Sequence, residues 1–341
     1  MRTLVLSLAA VLAAASAGYA QPAAFDRLPP DVLDARPPSA RVEGLPGLMT
    51  ILPGPCPTVP PDQVRRRIVD LATQEWGFFG FTVDDRTQID DDDDEEPRRR
   101  RWRLPPEARA RVADSIAGYW TVAPGGDWII ERQNEIWNGP RGVGERWRFP
   151  WSAAFVSWVM CESGLGTTEQ FARAIAHHVY IDQAIRARDG RLAGAAFAAY
   201  DVGEATIRPG DLLCSARRPA YRSLAERRRQ MGEGARTHCD IVVKVDEAAS
   251  RILAIGGNVR GTVSVKILPA TLEEGRLAPA QSQARRSRAP FAHLQLRAEP
   301  IDANALDTSP TIKAIGCAIL TTDSWRAAAD LMAIGTLGCS E

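Results

Sequence analysis

The chain has 341 residues, 45% of them hydrophobic, enough for one large globular domain or two ordinary ones. Its 42 lysines and arginines balance 42 aspartates and glutamates, so no global field favours nucleic acid or an anionic membrane as partner. Six cysteines are scattered rather than grouped as CxxC pairs, which speaks against a zinc ribbon and, in an exported chain, leaves up to three disulfides of open pairing.

The opening residues, MRTLVLSLAAVLAAASAGYA, combine a basic start, an apolar run and small residues before a cut after Ala20. They read as a secretory signal peptide, too short and poorly flanked for a retained membrane span. No cysteine sits at the cut to take a lipid, and no later apolar run is long enough to cross a bilayer. The expectation is an exported protein, periplasmic or secreted, with no transmembrane segment after signal removal. From Gln21 to Asp62 prolines recur every few residues, which predicts an extended linker. At Gln63 the pattern changes: Val64, Ile68, Leu71, Ala72 and Trp76 fall near helical spacing and predict an amphipathic helix. The run of 84–103 sets an acidic block directly against a basic one and reads as a solvated, self-neutralising insertion. PEARARVADSIAGYW restarts a helix, and the glycine-rich, aromatic stretch of 121–148 reads as loops.

FPWSAAFVSWVM, residues 149–160, predicts a helix buried in the middle of the domain. Pro150 suits a first turn, and Trp151, Ala154, Phe155, Trp158 and Val159 form one apolar stripe that Val156 and Met160 extend. Ser152 falls in the first turn, where free backbone N–H groups and the helix dipole favour negative charge. Two readings are open there: an N-capping serine, or a nucleophile whose oxyanion the same N–H groups stabilise. A further helix is expected over 167–190, carrying His177 and His178. These two could be combined with His238, Cys161 or Asp240 on paper, but the spacing fits no recurring ligand pattern, so neither metal nor cofactor is expected. His178 is the better candidate for groove lining.

Beyond Arg208 the texture turns β-like, with RPGDLLC, HCDIVVKV, RILAIGG and TVSVKIL separated by turn residues. Helices first and an antiparallel sheet afterwards is an α+β order. Strands over 240–245 and 251–256 flank a five-residue turn; with Val245 opposite Arg251, His238 faces Asn258 at the open end. An imidazole facing a carboxamide is a base with its orienter, while Asp240, on the same strand face as His238, is a rival orienter. Cys239 points the other way.

PWSAAFVSWVM, RPGDLLC, HCDIVVKV and IGGNV, in this order, resemble the bacterial domain-of-unknown-function family 2272 over residues 63–297, leaving 298–341 as a C-terminal tail. The motifs in turn resemble those of CHAP and NlpC-type cell-wall amidases and peptidases. That resemblance implies a papain-like fold, with a central buried helix packed on an antiparallel sheet. It implies a catalytic set of Ser152 in the seat of the usual cysteine, His238 as base and Asn258 as orienter, with Asp240, His178 and Trp151 beside them; Asp211 of RPGD matches a structural turn. The implied function is hydrolysis of amide bonds in peptidoglycan. The alternative is a non-catalytic module binding peptidoglycan or an envelope peptide or protein. A serine hydroxyl, unlike a thiol, stays protonated near neutral pH and attacks only when a base takes its proton during the reaction.

Overall fold

The computed structural model describes residues 25–87, 104–280 and 288–315. The signal-like residues 1–20, most of the charged insertion, and Cys317 and Cys339 lie outside the described residues. In chain order the helices are α1 (Pro30–Leu33), α2 (Val64–Phe78), α3 (Pro106–Arg111), α4 (Ala113–Trp120), α5 (Asp127–Trp137), α6 (Ser152–Glu162), α7 (His178–Arg188), α8 (Leu224–Arg228) and α9 (Pro310–Ile315). The strands are β1 (Val42–Glu43), β2 (Thr50–Ile51), β3 (Thr82–Asp85), β4 (Phe197–Tyr200), β5 (Leu212–Arg218), β6 (Arg236–Asp246), β7 (Arg251–Val259), β8 (Thr262–Glu273), β9 (Arg276–Pro279) and β10 (Pro290–Leu296). The class is mixed α+β.

β1 and β2 pair with each other. The main sheet runs β3-β8-β7-β6-β5-β10-β4, with β9 on β8, and every pairing is antiparallel except β3 with β8. Strand alternation gives the sheet two dissimilar faces. Cys239, Ile241, Leu253, Ile255 and Val265 belong to the large core shared with α2, α4 and α6. Val242, Val245, Ile252, Leu213 and Leu268 form a second apolar cluster on the other face. The β6–β7 register shows why turn length alone is a weak guide. At the turn Val245 lies opposite Ile252, one residue off the expected pairing, and an irregularity between Val242 and Lys244 brings Ile241 opposite Ile255, which restores it.

α2 forms where the apolar spacing placed it, with Ile68, Leu71, Ala72 and Trp76 all buried. Its Arg65, fully buried, donates through Nη1 to Asp211 Oδ1 at 2.8 Å and to Pro209 O at 2.6 Å. Asp211 also accepts from Arg208 N at 3.0 Å, His293 Nε2 at 2.9 Å and Leu296 N at 3.0 Å. One carboxylate thus joins α2, the RPGD turn and β10, while Arg65 Nε and His293 Nδ1 stay buried without a partner among the described residues.

Three expectations are corrected. The proline-rich stretch is not a free linker from Phe25 onward: Leu33, Val42 and Met49 are buried, and Arg41 donates through Nε to Glu162 Oε1 at 2.9 Å, both side chains inside. Prolines suppress regular structure without preventing packing, and Cys56 is bonded to Cys161 at the end of α6. The stretch of 121–148 is not all loop, because α5 lies within it and buries Ile129, Ile130, Gln133 and Trp137. The helix expected over 167–190 begins only at His178. Thr167 and Gln170 make a reciprocal cap, with Thr167 N to Gln170 Oε1 at 3.1 Å and Gln170 N to Thr167 Oγ1 at 3.2 Å, but no helix follows directly.

Among the described cysteines the second disulfide joins Cys214 and Cys239, which face each other across β5 and β6. The Cys56–Cys161 bond, with a sequence separation of 105, restricts the unfolded chain most. A Cys56→Ala, Cys161→Ala double variant is expected to lose about 2–5 kcal/mol of stability. An unchanged urea midpoint would show that the strap is held by Arg41 and its apolar contacts alone.

Candidate active site

Ser152 is the first residue of α6. Trp151 precedes it, buried, its ring against Phe79 at 5.6 Å and Tyr119 at 5.8 Å. It is a wedge that sets where the helix begins rather than part of an open wall. The first α-type bond runs from Phe155 N to Trp151 O at 3.0 Å, so the N–H groups just before Phe155 have no acceptor within the helix. Ser152 does not cap them. Its Oγ, in a residue 8% exposed, lies 2.7 Å from His177 Nε2.

His177 reaches this point because the chain before α7 is irregular. Ser157 on α6 clamps that segment, accepting from Ala174 N at 3.0 Å and donating to Ala174 O at 3.1 Å. Two serines of one helix therefore hold the same stretch, Ser157 by its backbone and Ser152 by its imidazole. The other ring nitrogen, Nδ1, receives the Cys239 backbone N–H at 3.2 Å and lies against the Tyr180 hydroxyl. A backbone N–H can only donate, so Nδ1 presents its lone pair and the ring proton sits on Nε2, donating to Ser152 Oγ. Desolvation, reinforced by His238, holds the His177 pKa well below its ordinary value, so the ring is neutral near pH 7. The proton of Ser152 has no acceptor among the described residues.

A second imidazole stands beside the first, with ring centroids 5.2 Å apart. His238 Nε2 is 2.8 Å from Asp240 Oδ1, and Lys266 Nζ reaches both oxygens of that carboxylate at 2.7 and 2.6 Å. Burial pushes Asp240 upward, but His238 and Lys266 outweigh it and hold the carboxyl far below the usual range. An ionised carboxylate only accepts, so His238 Nε2 carries the proton. Desolvation lowers the His238 pKa against the pull of Asp240, leaving a neutral ring with a bare Nδ1. No described protein group binds that nitrogen, and the side chain is 26% exposed. The two imidazoles thus share one tautomer, protonated on Nε2, but use it differently: His177 presents its N–H to the serine, and His238 gives its N–H to Asp240 and presents its Nδ1 lone pair to its surroundings.

The paired glycines of IGGN make this possible. A Cβ on Gly256 would stand 1.9 Å from Asp240 Oδ1, and one on Gly257 would stand 2.6 Å from Phe155 Cβ. One glycine admits the Asp240–His238 pair on one face of β7; the other admits α6 on the opposite face.

Of the residues the sequence singled out, the structure brings Ser152, His238 and Asp240 into one neighbourhood. Asn258 is not joined to them. It sits at the irregular end of β7 with φ +55°, and its side chain makes no hydrogen bond with any described residue. His178, on the first turn of α7, accepts from Ala235 N at 3.5 Å, and its pKa is lowered, chiefly by desolvation. Cys161 is in its disulfide at the far end of α6. Among the described residues no group of three or more His, Cys, Asp or Glu is arranged to hold a metal, and no described helix is long and apolar enough to cross a membrane. The residue missed as the partner of Ser152 is His177. A helix over 167–190 would have carried its ring away with the helix face; the signal available was the isolated cap at Thr167, which starts a turn and no more.

Residues 114–296, more than half of the chain, match the model of a family described as "Uncharacterized protein conserved in bacteria (DUF2272)". No curated protein and no solved structure matches the chain.

Proposed function

This chain belongs to the bacterial DUF2272 family, and from that premise we propose that it is an exported amide-bond hydrolase of the cell envelope, with a papain-like site in which serine stands for cysteine and peptidoglycan is the substrate. The observation that carries the reading is the 2.7 Å contact of Ser152 with His177 at the start of a buried helix, beside a second imidazole held by an ion pair. In this reading Ser152 Oγ attacks the amide carbonyl carbon, and its proton passes to the bare Nδ1 of His238, which later returns it to the leaving amine. Water then hydrolyses the acyl-serine ester by the same route. Asp240 orients His238 in the role first given to Asn258. The His177 N–H favours the developing alkoxide, since a hydrogen bond to the charged form lowers a group's pKa. The free N–H groups of the first turn of α6 stabilise the oxyanion.

A second reading is favoured by one observation: the imidazole bonded to Ser152 is its donor, not its base. A groove in that state binds a peptide or glycan of the envelope without cleaving it. A fluorophosphonate probe and purified peptidoglycan separate the two. The hydrolase reading expects labelling at Ser152 and turnover, both lost in Ser152→Ala, and a fall of about 10²–10⁴ in kcat in His238→Ala. Activity that survives His238→Ala removes His238 as the base. Turnover seen only in Ser152→Cys assigns a retained groove whose nucleophile is gone.

A further inference from the structure

Four arginines stand at the end of the sheet from which His238 emerges. Arg236 lies two residues before His238 on β6, and its Cα partner on β5 is Arg218, next to Arg217. Ser215 is the partner of His238 on one side and of Pro290 on the other, and Arg288 lies two residues before Pro290. All four arginines are exposed, and none makes an ion pair or side-chain hydrogen bond with a described residue.

The nearby acids are committed elsewhere or stand apart. Asp240 holds Lys266 and His238, Asp84 holds Arg86, and Asp182 holds Arg227. Glu233, three residues before Arg236, forms no ion pair with the four. Desolvation and then the charges of Arg217, Arg86 and Arg218 lower the Arg288 pKa, a sign that like charges face one another. Massing unpaired guanidinium groups costs folding free energy and is of use to an anion that passes over them.

Spacing narrows the anion. Arg236 and His238 share a strand face two residues apart, roughly 7 Å. Alternate side chains of an extended peptide have the same repeat, so a peptide lying along this end sets a carboxylate on the rim when its amide reaches the imidazoles. We infer that the rim of Arg217, Arg218, Arg236 and Arg288 binds the carboxylates of an acidic peptide, two residues from the amide offered to Ser152. The placement of the amide rests on the hydrolase reading; the binding of the acid does not.

The test is therefore a binding measurement on Ser152→Ala, which cannot turn over through the serine. The probe is a fluorescein-labelled peptide with glutamate at alternate positions, compared with its glutamine counterpart by fluorescence anisotropy. The acidic peptide is expected to bind at least about tenfold more tightly, weakening as salt rises from 50 to 200 mM as ionic contacts do. An added Arg218→Gln, Arg236→Gln pair, exposed and outside the reacting groups, is expected to remove most of that preference with an unchanged circular dichroism spectrum. Equal binding of the two peptides, or no effect of the pair, overturns the inference. Binding of polyphosphate without binding of the acidic peptide overturns it also, assigning a phosphate polymer instead. Binding that needs Asp91, Asp92, Asp93 and Asp94 changed to asparagine overturns it too, assigning the rim to the acidic run of this chain. If the acidic peptide binds while the fluorophosphonate fails to label Ser152, the hydrolase reading falls and the rim stands.

Discussion

Asp211→Ala is expected to cost about 3–5 kcal/mol, the range for breaking a buried ion pair by removing one partner. Arg65 would keep its carbonyl partners Pro209, Leu296 and Ala298 but lose its only carboxylate among the described residues. The Arg208 and Leu296 N–H groups and His293 Nε2 would lose their acceptor in the same step. The loss is large because α2, the RPGD turn and β10 meet nowhere else through so many bonds. Urea denaturation of the alanine variant beside Asp211→Asn checks it: asparagine keeps an acceptor oxygen and should retain part of the stability. A loss under about 1 kcal/mol for alanine would mean that water or a side-chain shift replaces the fully buried carboxylate.

The second large effect is on pH. His177 and His238 both have pKa values lowered in the folded protein, from an unfolded value near 6.5. Below that value the unfolded chain takes up protons that the folded chain refuses, so stability is full above about pH 7 and falls as pH drops. His177 alone approaches a slope of about 1.4 kcal/mol per pH unit. His238, a quarter exposed, adds a part of a second such contribution. Asp240, held low, has the same sign but acts only below the ordinary carboxylate range. Urea midpoints at pH 7.5, 6.0 and 5.0 should therefore decline in order. His177→Gln should flatten the decline between pH 6.5 and 5; a wild-type midpoint that stays level or rises there contradicts neutral buried imidazoles.

Much of this architecture was legible where burial writes a period into the residues. The stripe of Ile68, Leu71, Ala72 and Trp76 could be read because an apolar face repeats at helical spacing, and the helix expected over 149–160 forms over 152–162, after Pro150 and Trp151, buried on every side. The order of helices before strands pointed to the α+β class for the same reason. The proline-rich segment was misread because proline reports backbone freedom, whereas Arg41 inside the protein depends on Glu162, 121 residues away. His177 was misread because its position is decided by Ser157 and by the Cys239 amide, neither adjacent in the chain. The pair of Asp240 with His238 was visible as an i, i+2 relation on one strand; that Lys266 would join from two strands over was not. Local chemistry left Ser152 open between a cap and a nucleophile, and the order of the motifs pointed to the second. Only tertiary contacts reveal which way its hydrogen bond runs.

The Cys56–Cys161 bond bears on what a protease can achieve. Everything between those two positions, including β3 and the acidic and basic blocks that follow it, belongs to one covalent ring. A single cut anywhere inside the ring divides the backbone without releasing either piece. The nicked protein would run as one species on a non-reducing gel and as two after thiol treatment. Wherever proteases meet the protein, a cut between those two cysteines leaves the helix that carries Ser152 tied to the segment around Cys56.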